Sequence, residues 1–536
     1  MKDKLIDIIN NSLNTFNLDE EVNIEVSKTK SKENGDYSSN IAMKLTKILK
    51  KNPLEIANEI AGIIKDDCII NVEVKAPGFI NFFLDKKYLL DTVLEVNDLK
   101  EKYGFNTSGN GKKINIEFVS ANPTGILHMG NARGGAYGDS LARLLTFSGY
   151  DVTKEYYIND AGNQITNLGL SIKARYDELC GITTEMPENG YFGKEIYDIA
   201  NELYDKDKDS LLNNELDFFK NYGKNYLIDR IVDVLEEYRI HFDVFTSELA
   251  IAKKYGLNET IQKLTDNGYT YEKDGALWFK CSELLDDKDH VLIKEDKSFT
   301  YLVPDIAYHA DKFNRGFDKL IDILGTDHHG YVSRIKSSQK ALGYNENDLD
   351  VKLLQLVRLV ENGEVVKMSK RTGKSVTLNE LINEVGVNAA RYYFSRYSLD
   401  TQMDFDLSLA KSKSNENPVF YVNYAYARIC SILNEHDKGV EITDFKHINN
   451  ENAYDLMDKV YQFKDVVLLA SKKELPHLIT NYVYELASEF HLYYSNNRII
   501  TDNIDKNNEN ILLINCVKQT IKNALNLIGV EPLEKM

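Results

Sequence analysis

Basic residues are scarce for a chain of this size. Lysine and arginine number 65 against 83 acidic residues, a net charge of −18 over 536 residues. Proteins that coat nucleic acid by charge alone are basic, so that class is excluded; a DNA partner is not expected. A local basic stripe on an acidic body remains open. Cysteine is scarce too. Cys68, Cys180, Cys281, Cys430 and Cys516 are odd in number, far apart and never in a CxxC pair. That excludes a disulfide framework and a cysteine-based zinc site. Free buried thiols in a reduced, cytoplasmic compartment are expected, with no metal cage. Long apolar runs are missing: stretches such as Val466–Ala470 fall far short of the roughly 20 residues that span a bilayer, so no membrane partner is expected. Met1–Glu21 carries Asp3, Asp7, Asp19, Glu20 and Glu21, which fits neither a secretory nor a transit leader. Proline is rare, 8 residues against 30 glycines in a chain that is 43% hydrophobic. That balance excludes a collagen or a disordered tail.

What is present is enough chain for about three or four domains. No internal repeat or low-complexity tract interrupts it. Residues 1–111 read as a small α+β unit. Pro53–Ile64 has helical spacing, and Ile69–Val74 and Gly78–Leu84 are short and β-rich. Ile41–Lys51 is amphipathic, with Lys44, Lys47 and Lys51 on one face; a solvated face and a phosphate-facing stripe are both open. Ser108–Lys112 is a loop by composition. Residues 112–406 read as an α/β domain. Lys113–Val119 is a strand, followed by a glycine-bearing turn and a helix from about Asn131 to Ser148. This order places a site at the strand's C-terminal end. A helical, charged insertion covers about 165–285. Gly275–Lys280, His290–Lys294 and Leu320–Leu324 are predicted strands, and Asp305–Lys312 a predicted helix. Residues 407–536 show long helical patterns rich in aromatics, including Phe420, Tyr421 and Tyr424. These suit a helical core or stacking on unpaired bases.

Two stretches carry chemistry. In Ile114–Asp139 a strand ends at Ser120, Pro123 and Gly125 break it, and a helix begins near His128. Gly130, Gly134, Gly135 and Gly138 fall inside its first turns. Each interior glycine costs about 1 kcal/mol against alanine. Either a phosphate approaches the backbone at the helix N-terminus or the helix packs tightly on a sheet. In Glu364–Lys374 four basic residues, Lys367, Lys370, Arg371 and Lys374, share a short loop. It is a solvated turn or a cationic clamp for a polyphosphate.

Together these stretches resemble the paired motifs of class I aminoacyl-tRNA synthetases. His128-Met-Gly-Asn131 resembles the HIGH motif and Lys367-Met-Ser-Lys-Arg371 the KMSKS motif. Further segments resemble the arginyl-tRNA synthetase family: Glu117–Gly125, Tyr157–Gln164, Tyr301–His309 and Leu324–Gly330 in the α/β domain. Gly35–Asn40 and Pro77–Phe82 resemble its N-terminal domain, and Pro418–Ile429 the start of its helical anticodon-binding domain. The resemblance covers nearly the whole chain, in order.

The resemblance implies a Rossmann-like catalytic domain with a helical insertion, flanked by a small α+β N-terminal domain and an all-α C-terminal domain. It implies an ATP-dependent ligase acting on L-arginine and tRNA(Arg), with Mg²⁺ accompanying ATP and a monomeric enzyme. Arginine would be held by Glu117 and Asp305, supported by Tyr301, because a carboxylate matches the guanidinium fork. Ser120 and Asn122 would sit near its α-amino end, and Asp327 and His328 would help close the pocket. His128, Gly130 and Asn131 would meet the ATP phosphates, with Met368 and Lys370 across from them. Lys370, assisted by Lys367, would stabilise the leaving pyrophosphate. Asn131 departs from the motif, which usually has a second histidine there. Phe79 and Asn81 would contact the tRNA D-loop, and Tyr421, Tyr424 and Arg428 the anticodon. Strong discrimination by buried carboxylates makes an editing domain unnecessary. The alternatives are another class I ligase or adenylyltransferase, and a catalytically silent RNA-binding paralogue.

Overall fold

The computed structural model describes residues 1–536 apart from 17, 19–21, 30, 367–375, 437–444 and the side chain of residue 255. It divides into two compact units.

The first unit comprises Met1–Asp98, Val440–Tyr461 and Ile500–Leu513. Its antiparallel sheet runs in the order Val26–Lys28, Tyr37–Ser39, Phe79–Leu84, Ile69–Lys75. Helices Lys2–Leu13, Ile41–Leu49 and Pro53–Ile63 supply Leu5, Ile9, Leu45 and Ile60 to a core shared with Ile80 and Phe82 of the sheet. Asn52 starts the third helix by accepting the Leu54 N–H, with Pro53 at the first helical position, where its missing N–H does no harm. On the lysine face, Lys44 pairs with Glu25 at 2.8 Å and Lys51 with Glu59 at 2.7 Å. The unit closes at Asp98 and also takes in two later segments. Each of these later segments ends inside a helix, Glu451–Lys473 and Ile504–Leu527, where hydrophobic periodicity does not change.

The second unit is built on five parallel strands: β1 (Lys113–Glu117), β2 (Asp151–Ile158), β3 (Val244–Ser247), β4 (Lys319–Gly325) and β5 (Leu349–Leu354). Their order across the sheet is β5-β4-β1-β2-β3. The chain winds outward from β1 to β3, then returns to the other side of β1. The sheet is Rossmann-like, and the reversal between β1 and β4 is where ligands bind such sheets. Helix α1 (Met129–Phe147) connects β1 to β2, and helix α2 (Leu302–Asn314) precedes β4.

The expected helical insertion is present but is two insertions. Gly162–Leu179, Lys194–Asp207 and Leu216–Glu237 form a helical layer around Ile165, Leu168, Ile172 and Phe219. The chain then returns to the main sheet for β3 before a small antiparallel sheet, Thr270–Lys273, Ala276–Phe279 and His290–Ile293. The sequence reading ran helix through β3. Four residues, Val-Phe-Thr-Ser, are too few to display a two-residue period. Among the described residues, the chain after Leu407 forms helices only, including Pro418–His436 and His477–Asn496. No described helix is long and apolar enough to cross a membrane.

Candidate active site

The C-terminal edges of β1 and β4 open into a cavity of about 1210 Å³. Pockets for one small molecule run to roughly 1,000 Å³, so this one has room for two substrates side by side. Its walls bring together ten residues singled out from the sequence. Glu117, Ser120, Asn122, Tyr301 and Asp305 line one part; His128, Gly130 and Asn131 line another; Asp327 and His328 join them.

The strand end is locally strained. Val119 and Ser120 have φ of 66° and 34°, a region a β-branched residue rarely adopts and one that concentrates at functional sites. The turn is held by polar contacts to the neighbouring segment. Ser120 Oγ accepts the Tyr157 N–H at 3.0 Å, and Tyr156 donates its hydroxyl to the Ala121 carbonyl at 2.7 Å. Asn122 donates to Gln164 at 2.8 Å and accepts from Asn159 at 2.8 Å.

At the start of α1, His128 is the N-cap. Its Nδ1 accepts the Gly130 N–H at 3.1 Å, while Asn131 Oδ1 accepts the His128 N–H at 3.0 Å. This reciprocal pair satisfies two donors that a helix start otherwise leaves open. With Nδ1 accepting, the neutral ring carries its proton on Nε2. Burial lowers the His128 pKa, which favours that neutral form. Asn131 therefore has a definite local task that the missing motif histidine would have to share. The glycines divide. Gly130 and Gly134 line the cavity. Gly135 and Gly138 face inward: a Cβ at Gly138 would stand 2.3 Å from the Phe118 ring, and one at Gly135 2.8 Å from Ile240. Sheet packing explains the second of these pairs, and only the first is open to a ligand.

Acidic groups define the other end. Asp305 lies on the first turn of α2. Burial, opposed by His309 and reinforced by Glu248 and Glu117, pushes its carboxyl up to about 7. Glu248 also lines the cavity, and burial with Asp160 beside it raises its pKa. Glu117 is differently placed, because Lys312 donates to its Oε2 at 2.6 Å. The sequence reading missed Glu248, His309, Lys312 and Asp322 as site residues. Glu248 follows the short strand β3, so no spacing rule links it to Glu117. His309 and Lys312 follow Asp305 at four and seven residues, and that one-face helical spacing was an available signal. Tyr301, 74% exposed, stands at the rim. Asp327 and His328 lie 3.7 Å apart on an exposed turn.

Lys367, Met368, Lys370 and the rest of the basic loop lie outside the described residues. Val366 and Val376, which flank it in sequence, both line the cavity. The Val376 carbonyl accepts the Met129 N–H at 3.1 Å.

The residues expected to meet RNA are elsewhere. Phe79 is 39% exposed, and Asn81 on the same strand only 3%. Tyr421, Tyr424 and Arg428 share a face of Pro418–His436. The Arg428 guanidinium lies 4.4 Å from the Tyr424 ring and 4.5 Å from that of Tyr494, and His491 stacks near Tyr421 and Tyr424. Away from the cavity, Cys281, Asp286 and His290 lie within 4.8 Å of one another. They form a loop clasp. Asp286 takes His290 Nε2 at 3.0 Å and the Asp287 N–H at 2.8 Å, and burial raises the Cys281 thiol well above its usual range.

A Rossmann-like sheet, a glycine-bearing helix start at its switch point and an acidic pocket beside it define a class I aminoacyl-tRNA synthetase. The catalytic-domain model of class I tRNA synthetases (R) matches residues 93–396. An arginyl tRNA synthetase N-terminal domain matches residues 3–84, and a DALR anticodon binding domain residues 422–536. The chain is 48% identical over 521 residues to arginine–tRNA ligase 1 of Halalkalibacterium halodurans, covering 95% of this chain and 93% of that one. It is 47% identical over 525 residues to the arginine–tRNA ligase of Bacillus subtilis, covering 96% and 94%. The solved arginyl-tRNA synthetase of Thermus thermophilus shares the fold over the full length of both chains, with a TM-score of 0.78 at 19% identity. The chain belongs to the arginyl-tRNA synthetase family.

Proposed function

We propose that the cavity carries out both half-reactions of an arginine–tRNA ligase, with its two ends dividing the substrates between them. A carboxylate oxygen of arginine attacks the α-phosphate of ATP. The bond to the β-phosphate breaks, giving arginyl-adenylate and pyrophosphate. A hydroxyl of the tRNA's terminal adenosine then attacks the arginyl carbonyl and AMP leaves. No covalent enzyme intermediate is involved, so positioning and electrostatics supply the rate.

The observation that carries this reading is a pair of acids lining the cavity. Asp305 and Glu248 are half-buried there with raised pKa values, as carboxyls are when no ion pair offsets their desolvation. An arginine guanidinium supplies a cation with a fork of donors. Asp305 and Glu248 take the guanidinium, with Tyr301 at the rim. Glu117, already bridged by Lys312, contributes less to that clamp than the motif alone suggests; with Ser120 and Asn122 it faces the amino-acid backbone. Asp327 and His328 close the rim.

At the other end, His128 directs its Nε2–H to charge developing on the α-phosphate, and the Gly130 and Asn131 segment admits the triphosphate at the N-terminus of α1. Met368, Lys370 and Lys367 act from the basic loop, on the leaving pyrophosphate. Mg²⁺ arrives with ATP, since a magnesium ion is commonly held by phosphates and water. For tRNA, Phe79 and the Tyr421, Tyr424, Arg428 cluster offer stacking surfaces; Asn81, expected beside Phe79 at the D-loop, is only 3% exposed and is held inside the sheet. The domains that carry these tasks are residues 1–111, 112–406 and 407–536.

ATP–pyrophosphate exchange with each amino acid, with and without tRNA, tests the reading. Exchange with arginine alone is expected. Exchange driven by a different amino acid overturns the pocket assignment, and no exchange under any condition leaves an RNA-binding paralogue.

A further inference from the structure

Beneath the acidic end of the cavity lies a charged group that no motif accounts for. Lys312, fully buried, donates to Glu117 Oε2 at 2.6 Å and to Asp322 Oδ1 at 2.9 Å. Its ammonium also lies 4.4 Å from the Tyr308 ring centre. Burial works against that charge, but Asp322 and Glu117 outweigh it and hold the pKa above the usual lysine range.

His309, one turn earlier on α2, has its Nδ1 2.8 Å from the Asp305 carbonyl and its Nε2 2.7 Å from Asp322 Oδ2. A backbone carbonyl can only accept, and an ionised carboxylate can only accept. Both ring nitrogens therefore donate, and His309 is an imidazolium. Burial opposes this state and the Asp322 carboxylate overrides it. Glu117 on β1 and Asp322 on β4 are partners in the sheet register, on either side of the switch point. Two cations from one helix thus neutralise two anions from two strands.

The other groups facing Glu117 are accounted for. Glu155 on β2 is bonded to Arg315 at 2.7 Å. Asp305 and Glu248 lie across the cavity, and the remaining neighbours, Tyr157, Tyr308 and Tyr331, keep their protons because burial raises all three.

We propose that Lys312 and His309 are positioning residues for amino-acid binding: they fix Glu117 and Asp322 as a charge-balanced floor, leaving Asp305 and Glu248 as the anions that meet the substrate's charge. This rests on reading the cavity as an arginine site. The physical need is plain. A buried carboxylate stripped of its cation takes up a proton or moves.

The test is arginine-dependent kinetics on the full-length enzyme, with KM measured separately for arginine and ATP. Lys312→Met is expected to raise the arginine KM roughly 10²- to 10³-fold and to leave the ATP KM unchanged. Lys312→Arg, which keeps the charge, should restore most of the lost arginine affinity. His309→Gln keeps a donor to Asp322 but removes the charge; the arginine KM should rise roughly 10- to 100-fold, and it serves alone if Lys312→Met fails to fold. An unchanged arginine KM in the folded variant overturns the proposal. So does an equal rise in the arginine and ATP values, which marks general distortion. A wild-type enzyme that shows no arginine dependence instead overturns the site reading beneath it.

Discussion

The amino-acid and nucleotide ends proposed for the cavity pose opposite electrostatic problems and are built from different materials. The amino-acid end is built from side chains. Lys312 and His309 bridge Glu117 and Asp322, while Asp305 and Glu248 carry no such ion pair and have raised pKa values. The nucleotide end is built mainly from backbone. Among the described residues, a helix N-terminus, a cap and a glycine open to the cavity make up this end, and the burial that lowers the His128 pKa favours a neutral side chain there. The contrast follows from the ligands. A guanidinium carries one delocalised positive charge, and only a buried anion binds it selectively. A triphosphate carries several negative charges that any array of N–H donors attracts. Specificity therefore belongs at the first end and rate at the second.

The difference breaks most sharply at Asp305. Asp305→Asn keeps shape and removes charge, so the guanidinium loses an ionic partner in a water-poor site. The kcat/KM for arginine should fall by roughly 10³-fold or more with the ATP KM unchanged. Steady-state aminoacylation measures both, and a loss shared equally between the substrates would erase the division.

The mirror experiment is His128→Asn. An asparagine side chain still caps the helix but has no imidazole Nε2–H to offer. The expected outcome is a kcat about 10²- to 10³-fold lower with little change in the arginine KM. A larger effect on the arginine KM than on kcat would place His128 in binding rather than in rate.

How legible these ends were in the sequence differs in the same way. The nucleotide end was readable because its constraint is local: His128 through Asn131 fall within one turn, and so does the cap they form. Half of the amino-acid end was readable, through Glu117, Tyr301 and Asp305. The rest depends on long-range pairing. Asp322 matters because β4 lies beside β1 in register, and Glu248 because a four-residue strand brings it back to the sheet. Neither relation leaves a local pattern. The fold class was legible in outline, since strand, turn and helix follow one another around His128. The glycines were legible as an anomaly but not as two populations, because only the packing of Phe118 against Gly138 separates them.

A subtler measurement uses the Asp305 proton. Its folded-state pKa of about 7 lies above the roughly 3.9 of an unfolded chain. Between those values the folded protein binds more protons than the unfolded one, so this group's contribution to stability declines as pH rises from about 4 to 7. Bound arginine reverses the trend, because it needs the ionised carboxylate. The increase in Tm produced by saturating arginine should therefore be larger at pH 8 than at pH 6. ATP binds at the other end, and its Tm increase should not share this dependence. Equal arginine effects at the two pH values would mean that Asp305 does not titrate in the empty cavity.

The smallest expected effect separates two tasks that coincide at Asn131. Its Oδ1 closes the cap by accepting the His128 N–H, and the residue also lines the cavity. Asn131→Ala removes both, and should cost about 1 kcal/mol of stability, as cap losses do, together with a modest rise in the ATP KM. Asn131→Asp separates them. A carboxylate accepts the same N–H and suits the positive end of the helix, so thermal stability should be kept or rise slightly. The same charge would face incoming phosphates and repel them, raising the ATP KM well beyond that of Asn131→Ala while the arginine KM stays constant. If Asn131→Asp binds ATP as well as the wild type, the residue is a cap and nothing more, and the motif's departure from histidine is without consequence for the nucleotide. If it weakens ATP while holding the fold, the neutral amide is there because it can close a helix without placing charge against the phosphates.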